Sequence, residues 1–325
     1  MHPFSTDAVT WTHLGRGALH LAARVLGLEG REVLVPAYHH GVEVDALLAA
    51  GAHPGFYAVG TRWTVDVEDL ERRIGPRTGG LVLTHFAGFP GPVQQLRSLA
   101  DRHGLVLIED CAQALRSMDG ASPVGSTGDA AVFSLRKTLP VPHGGALVFN
   151  GARSYQLPPL PRPPAAPTLR ALCARLLLRG EFRLPNQGGA LRRLGCWFSR
   201  HFRTGFPRID AQGRIDRHQL ELGSSPLVNE LLPGVCPLFY PLWVPDRHEA
   251  LARLRVDNVE ANAGWRSFHP RCDGGEFPEA ALLREHVLEL PCHQDLGPAH
   301  VAHEARAVLR ALRRDRARRW RAAEG

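Results

Sequence analysis

A single lysine, Lys137, stands out among the basic residues of this 325-residue chain. Lysine and arginine together number 39, and every basic residue of these two types except Lys137 is an arginine. Arginine can replace lysine wherever only positive charge matters, but a guanidinium group stays protonated and cannot form a Schiff base. The amine at position 137 is therefore a candidate nucleophile for a carbonyl compound. The alternative is an ordinary surface lysine that has been retained by chance.

Two other polar residues stand at the ends of apolar runs that are typical of buried strands. Asp110 closes the run over residues 104–110, and Ser134 lies near the end of the run over residues 130–135. A carboxylate at such a place can pair with a cationic group of a ligand, and a hydroxyl can bind an anion. The alternatives are that Asp110 caps a following helix and that Ser134 is a polar strand-end residue without a ligand.

A glycine-rich opening, Gly15-Arg16-Gly17, begins a helical pattern over residues 14–28. A helix N-terminus offers free backbone N–H groups and the positive end of the helix dipole, so it is a place where a phosphate can bind. Gly15 would let the backbone approach such a group closely. Arg16 would either add charge-assisted contacts or point to solvent.

The elements that must position these residues alternate between strands and helices. Helical patterns of about ten residues separate short apolar runs, which predicts βαβ units and a mostly parallel sheet. Ligands bind such sheets beyond the carboxyl ends of the strands, where Asp110 and Ser134 are expected. The predicted helices cover residues 14–28, 42–51, 67–74, 92–103, 245–256 and 298–321, and the predicted strands cover 31–36, 55–59, 80–86, 104–110, 130–135, 144–149, 238–244 and 287–291.

The pattern changes after residue 150, where a proline-rich stretch over 154–168 cannot continue a sheet. We expect it to form an extended strap, followed by a partly helical segment over 169–204. The predicted division is a large domain over residues 1–233, which includes the strap, and a small C-terminal α+β domain over residues 234–325.

Composition excludes several classes of protein. Apolar residues make up 44% of the chain and charged residues 22%, as in a globular protein with a large core. No run of 18 apolar residues predicts a membrane span, and the six cysteines show no CxxC spacing of a zinc site. These features and the absence of a signal-peptide pattern favour a cytoplasmic protein. The net charge of +7 leaves binding to nucleic acid or to a membrane surface as a minor alternative.

Four segments, in this order and at these separations, resemble the DegT/DnrJ/EryC1/StrS family of aminotransferases. They are residues 15–19 (GRGAL), 108–114 (IEDCAQA), 128–139 (GDAAVFSLRKTL) and 143–147 (HGGAL), with further likeness at 35–38 (VPAY) and 290–296 (LPCHQDL). The resemblance implies the fold of type I pyridoxal-phosphate (PLP) enzymes, PLP as cofactor, and transfer of an amino group to keto sugars that are largely attached to nucleotides. Such enzymes serve polysaccharide or secondary-metabolite biosynthesis and act as homodimers.

The resemblance also implies roles for individual residues. Lys137 would bind the cofactor covalently and then move protons as the catalytic base. Asp110 would pair with the pyridine nitrogen and keep the ring protonated, so that the ring can accept electrons. Gln113 would form a hydrogen bond with the ring hydroxyl.

The remaining cofactor contacts would come from the phosphate site and from a ring cover. Gly15, Arg16 and Ser134 match the family's phosphate-binding positions. The family's ring-covering aromatic position is occupied by His40, for which a purely structural histidine is the alternative; Tyr38 or His39 could substitute. The resemblance does not assign a role to His85.

Several departures from the family pattern keep a second reading open. Lys137 stands two residues nearer to Ser134 than is usual, and His143 replaces the acid that precedes the two glycines. No Gly-x-Asn-x-Arg stretch, by which a partner subunit usually reaches the cofactor, is found. The leading hypothesis is an aminotransferase with an amino acid donor, plausibly glutamate. The rival is a catalytically inactive PLP-fold scaffold or regulator.

Overall fold

The computed structural model describes residues 9–139, 141, 143–151, 155–160, 234–292 and 296–323, with side chains up to residue 312. The strands among these residues are β1 (Val9–Thr12), β2 (Glu32–Pro36), β3 (His53–Tyr57), β4 (Thr78–Thr84), β5 (Val106–Asp110), β6 (Met118–Asp119), β7 (Ser122–Pro123), β8 (Ala130–Ser134), β9 (Gly145–Phe149), β10 (Phe239–Trp243) and β11 (Val287–Pro291). The helices are α1 (Gly15–Val25), α2 (Val42–Ala49), α3 (Val67–Arg72), α4 (Val93–His103), α5 (Leu135–Thr138), α6 (Arg247–Val256), α7 (Pro278–His286) and α8 (Pro298–Ala323).

A seven-stranded sheet in the order β1-β9-β8-β5-β4-β2-β3 forms the centre of the fold. Strands β3, β2, β4, β5 and β8 are parallel. At one side of the sheet, β9 pairs antiparallel with β8, and β1 pairs antiparallel with β9. This confirms the prediction of an α/β fold with a mostly parallel sheet. Since β5 and β8 are parallel neighbours, Asp110 and Ser134, their last residues, lie at the same edge of the sheet.

Successive side chains of each strand point to opposite faces of the sheet and belong to two different cores. On one face, α1 and α2 pack against a layer that includes Val35, Val82, Ile108 and Val132. On the other face, α4 covers a layer that includes Leu81, Leu83 and Leu107. Asp110 and Ser134 are two residues beyond Ile108 and Val132, and by alternation they lie on the side of α1 and α2.

The C-terminal residues form a second small sheet from β10 and β11, with a core shared with α6 and α8. Helix α7 packs on the main sheet instead, since Leu283 belongs to the same apolar cluster as Leu81 and Leu83. The predicted boundary at residues 233 and 234 adjoins residues 161–233, which lie outside the described residues, as does the predicted helical segment over 169–204. The two-domain division therefore stays a prediction.

Several element boundaries differ from those predicted. Strands β3 and β4 begin and end two residues earlier than the expected 55–59 and 80–86. The Gly79-Gly80 pair is typical of a loop before a strand, but both residues lie inside β4. Glycine fits at position 79 because a Cβ there would stand 2.8 Å from the Arg31 Cβ. Strand β1 and helix α7 were not predicted. Within the proline-rich strap, residues 155–160 have no regular structure.

None of the helices among the described residues is long and apolar enough to cross a membrane.

Candidate functional site

The site lies at the carboxyl ends of β5 and β8, between the first turns of α1 and α2. Gly15 is the first residue of α1, Ser134 immediately precedes α5, and Lys137 lies within α5. Asp110 ends β5. The structure therefore brings together the phosphate-site, acid and lysine candidates, which are spread over the first 137 residues of the sequence.

Lys137 is half-buried, on a four-residue helix that follows β8 directly. Burial lowers the pKa of its amine, although the charges of Asp110, Glu43 and Glu289 act in the opposite direction. A lysine with a lowered pKa in a cleft is a more available nucleophile than a surface lysine. Because the amine is partly buried and interacts with the charge of Asp110, Lys137 differs from the freely exposed lysine of the alternative interpretation.

Asp110 is buried, with 7% of its surface exposed. Burial and, after it, the charge of Glu43 raise the pKa of its carboxyl group to about 6, although Lys137 acts to lower it. Its Oδ1 accepts a hydrogen bond of 2.9 Å from the Ala112 N–H. No helix follows, because residues 111–117 form turns, so the helix-cap alternative is wrong.

The N-terminus of α1 packs directly against the end of β8. A Cβ on Gly15 would stand 3.2 Å from both the Phe133 carbonyl oxygen and the Ser134 Cβ. Ser134 is buried, and the first turn of α1 contains no acidic residue. Free N–H groups, a buried hydroxyl and the absence of a repelling carboxylate make this a cradle for an anion.

The two glycines after the lysine hold this cradle in place. The Gly144 N–H donates to the His13 carbonyl oxygen over 2.9 Å, and a side chain on Gly145 would overlap the backbone of Leu14, the residue before α1. The Gly-Gly pair belongs to the HGGAL segment, residues 143–147, that resembles the family pattern. Its physical role is to let β9 pass close beneath the start of α1.

Two arginine and two histidine side chains lie near the anion cradle. Arg16 is exposed, whereas Arg136 is half-buried, and burial lowers the pKa of its guanidinium group, as does the neighbouring charge of Arg16. The rings of His13 and His143 stand 4.3 Å apart, and burial lowers the pKa of His13. The Arg136 Nε and both ring nitrogens of His143 are buried without a hydrogen-bond partner among the described residues.

Gln113 is buried near the same edge of the sheet, and its Oε1 accepts a hydrogen bond of 2.6 Å from the Ala87 N–H. This contact fixes the orientation of the amide group. The NH₂ end is therefore the end that can donate to a ligand, which is the chemistry expected of a group that binds a ring hydroxyl.

Of the three candidates for the ring cover, only His40 is open to the cleft. Its side chain is exposed, and the charges of Lys137, Arg16 and Arg136 reach it. His39 is buried: its Nδ1 contacts the Pro36 carbonyl oxygen at 3.0 Å, and its Nε2 accepts from the His269 N–H. Tyr38 is buried against Trp265, with ring centroids 4.7 Å apart.

His85 and Glu109 form a buried pair that faces away from Asp110. The Gly91 N–H donates to His85 Nδ1, so Nε2 carries the proton and donates to Glu109 Oε2 over 3.0 Å. The other contacts to the Glu109 carboxylate come from three backbone N–H groups, those of Gly125, Thr127 and Gly128. Burial alone would raise the pKa of Glu109, but these hydrogen bonds hold it below the ordinary value. The pair supports the loops behind the site.

The same pair and Cys111 form a group with metal-ligating atoms within 4.8 Å of one another, found among the described residues. The His85 and Glu109 atoms already have hydrogen-bond partners, and burial raises the pKa of the Cys111 thiol well above its ordinary value. A protonated thiol is a poor metal ligand. We therefore assign these residues to the core and not to a metal centre.

Two acidic residues of the site were not predicted. Glu43 is the second residue of α2, and an acid at that position reads as an ordinary helix-capping group. Glu289 lies in β11, far from Lys137 in the sequence, and burial raises its pKa to about 7. The charges of both affect Lys137, but only the packing of α2 and β11 around the site brings them there.

The residues present fit PLP. The absence of a Cβ on Gly15 lets the start of α1 lie against Ser134, so that free N–H groups and a hydroxyl could hold a phosphate. A buried acid, Asp110, could pair with a pyridine nitrogen, and the Lys137 amine interacts electrostatically with that acid. The cationic side chains around the cradle match the charge of a phosphate.

Comparison with known sequences gives related proteins. A family model of the DegT/DnrJ/EryC1/StrS aminotransferase family matches residues 6–156. The chain is similar to the UDP-N-acetyl-3-dehydro-alpha-D-glucosamine 3-aminotransferase of Acidithiobacillus ferrooxidans, with 37% identity over 92% of this chain and 82% of that protein. It is 39% identical to the GDP-perosamine synthase of Vibrio cholerae over 42% of this chain, and the match spans only 38% of the length of that relative.

Comparison with solved structures gives the same fold. The PLP form of the sugar aminotransferase Spr1654 of Streptococcus pneumoniae, itself described as putative, superposes with a TM-score of 0.70 at 16% identity, covering 95% of this chain and 88% of that chain. The aminotransferase TlmJ of Streptoalloteichus hindustanus superposes with a TM-score of 0.67 at 22% identity, covering 94% and 86%. These likenesses confirm the predicted fold of PLP-dependent enzymes of type I.

Proposed function

Because this chain belongs to the DegT/DnrJ/EryC1/StrS aminotransferase family, we propose that it is a PLP-dependent aminotransferase that transfers an amino group from an amino acid to a keto sugar. One observation carries the proposal. The only lysine of the chain is half-buried and lies within electrostatic reach of a buried acid whose pKa is raised to about 6. The anion cradle at Gly15 and Ser134 lies beside it.

The chain's own residues have distinct tasks in this proposal. Bound PLP supplies a ring that accepts electrons from the substrate carbon. Lys137 holds the cofactor through its amine and, when released, takes and returns the proton of the substrate carbon. Asp110 keeps the ring nitrogen protonated. The N–H groups at the start of α1 and the Ser134 hydroxyl bind the phosphate.

Two more residues orient the cofactor. Gln113 directs its NH₂ group toward the ring hydroxyl because Ala87 holds its carbonyl oxygen. His40, which is exposed at the site, would cover the ring in the position of the family's aromatic residue. Arg16 and Arg136 add positive charge near the phosphate, and the exposed position of Arg16 makes its contribution the weaker of the two.

The substrates are proposed from the names of the relatives. Similar proteins are named for GDP-, UDP- and dTDP-linked sugars, which supports a nucleotide-linked keto sugar as acceptor. Glutamate is the proposed donor. We further propose a cytoplasmic homodimer with a large domain over residues 1–233 and a small domain over 234–325.

An absorbance experiment tests the function. Protein loaded with PLP is expected to show a visible band that bleaches when glutamate is added and returns when a nucleotide-linked keto sugar follows. A band that no amino donor changes would contradict the proposal and favour the inactive scaffold. Absence of any band, with salt-sensitive retention on DNA, would favour nucleic-acid binding.

A further inference from the structure

Glu43 is buried in an unusual way for an acid in the first turn of a helix. Only 8% of its surface is exposed. Its Oε1 accepts a hydrogen bond of 3.2 Å from the His40 N–H, which is the ordinary task of a capping glutamate. Its Oε2 is buried and has no hydrogen-bond partner among the described residues. Capping explains one oxygen and leaves the other unexplained, at a cost in desolvation.

Helix α2, which carries Glu43, lies on the side of the sheet that holds the site. Val44, the next residue, packs in the same core layer as Ile108 and Val132, which precede Asp110 and Ser134 by two residues. Glu43 therefore lies on the same face of the sheet as the acid and the serine. Its charge raises the pKa of Asp110 and supports the protonated form of Lys137.

Charged groups face Lys137 from every element packed around it. They are Asp110 of β5, Glu43 of α2, Glu289 of β11, Arg136 of α5 and His40 of the loop before α2. When the cofactor is bound, Asp110 is paired with the ring nitrogen. Glu289 has a pKa of about 7, so it is only partly ionised at neutral pH. Glu43 then remains as the acid near Lys137 that has a buried oxygen, Oε2, without a hydrogen-bond partner among the described residues.

We propose that Glu43 is a positioning residue for Lys137: its buried carboxylate holds the lysine ammonium group in the site and governs when that amine is free to take or return a proton. The inference rests on the proposed function, because only there does the lysine have a proton to move. Burial alone would leave Lys137 a weak base. The Glu43 charge counteracts this effect and keeps the amine basic enough to take a proton from carbon.

The experiment uses the single lysine as its own reporter. Apoprotein is labelled with trace acetic anhydride from pH 6 to pH 11, and acetylation of the peptide containing Lys137 is measured by mass spectrometry. Only the neutral amine reacts, so the midpoint of the curve gives the lysine pKa directly. The N-terminal amine appears on another peptide and serves as an internal reference.

Three variants are compared with the wild type. Glu43→Gln keeps the Oε1 acceptor for His40 and removes the charge, so we expect the midpoint to fall by roughly 0.5–1 pH unit. Glu43→Asp keeps the charge and should stay near the wild-type midpoint. Asp45→Asn removes a charge from the same helix turn, but its side chain is exposed, and it should leave the midpoint unchanged.

An unchanged midpoint in Glu43→Gln, or an equal fall in Asp45→Asn, would overturn the inference. A lower thermal midpoint of unfolding with an unchanged labelling curve would leave Glu43 as a capping residue only and would also overturn it. If Glu43→Gln does not fold, the test rests on Glu43→Asp, which keeps the charge. A labelling midpoint of Glu43→Asp that lies as far below the wild-type midpoint as was expected for Glu43→Gln would contradict the inference. The labelling needs neither cofactor nor substrate, so its failure is distinct from a failure of the bleaching experiment.

Discussion

The backbone of Gly15 lies against Ser134, so close that a Cβ on Gly15 would stand 3.2 Å from the Ser134 Cβ. These two residues are far apart in the sequence and are joined by the packing of α1 on β8. Gly15 supplies the N-terminus of α1, and Ser134 supplies a buried hydroxyl group next to it. This contact defines the phosphate end of the proposed site, with Asp110 and Lys137 beyond it.

Gly15→Ala should weaken PLP binding while the fold survives. The added methyl group presses on the Phe133 carbonyl oxygen and on Ser134, which moves the first turn of α1 away from the phosphate. We expect a loss of roughly ten-fold in PLP affinity, or about 1.4 kcal/mol. Pyridoxal without the phosphate should bind equally to both proteins, as measured by absorbance titration.

Gly17→Ala is the matched control, since its nearest neighbour, the Thr12 Cβ, would be 3.8 Å away. This variant should bind PLP as the wild type does. Equal loss of affinity for pyridoxal and PLP in Gly15→Ala would mean that the change acts on the whole pocket and not on the phosphate.

Asp110→Asn should leave PLP bound but slow transamination by several orders of magnitude. The neutral amide cannot hold the ring nitrogen protonated, although its oxygen can still accept from the Ala112 N–H. Stability should therefore change by less than about 1 kcal/mol. Single-turnover kinetics beside a melting curve separates the two effects, with the exposed Asp119→Asn as control. Wild-type turnover in Asp110→Asn would leave Asp110 a structural residue.

Glu109→Gln should destabilise the fold by about 2–4 kcal/mol, because the amide places an NH₂ group against N–H donors that now meet a carboxylate. Urea unfolding measures the change, with the exposed Glu68→Gln as control.

The stabilising effect of the Glu109 carboxylate should also depend on pH, because its pKa is lower in the folded protein than the ordinary value of 4.5. Its contribution to the free energy of unfolding is fully present above pH 4.5 and is lost as the pH falls through the lowered pKa. The stability difference between Glu109→Gln and wild type should therefore shrink in acid. A constant difference from pH 7 to pH 3 would contradict this account.

A homodimer should appear in solution, with twice the 35.7 kDa mass of the chain. We expect a two-fold symmetric interface of at least about 2,000 Å² in total, the size of obligate dimers. Light scattering at micromolar concentration measures the mass. A monomer that binds PLP and turns over would contradict a shared site.

Much of this arrangement could be predicted from sequence, because the signals are local. The apolar runs that end at Asp110 and Ser134 identify β5 and β8, and parallel neighbours bring their ends together. Glu43 and Glu289 could not be found in this way. An acid at the start of a helix looks like a cap, and a lone acid in a short strand looks like a surface residue. Only the packing of α2 and β11 brings both near Lys137.

Borohydride reduction of the PLP-loaded protein tests the central claim most directly. With one lysine in the chain, intact mass and a single peptide map decide the outcome. We predict one reduced cofactor per chain, on the peptide that contains Lys137, and none in Lys137→Arg, whose guanidinium group keeps the charge but cannot bind the aldehyde. Labelling of Lys137→Arg at the wild-type level, or no labelling of a wild type that visibly holds PLP, would contradict the account.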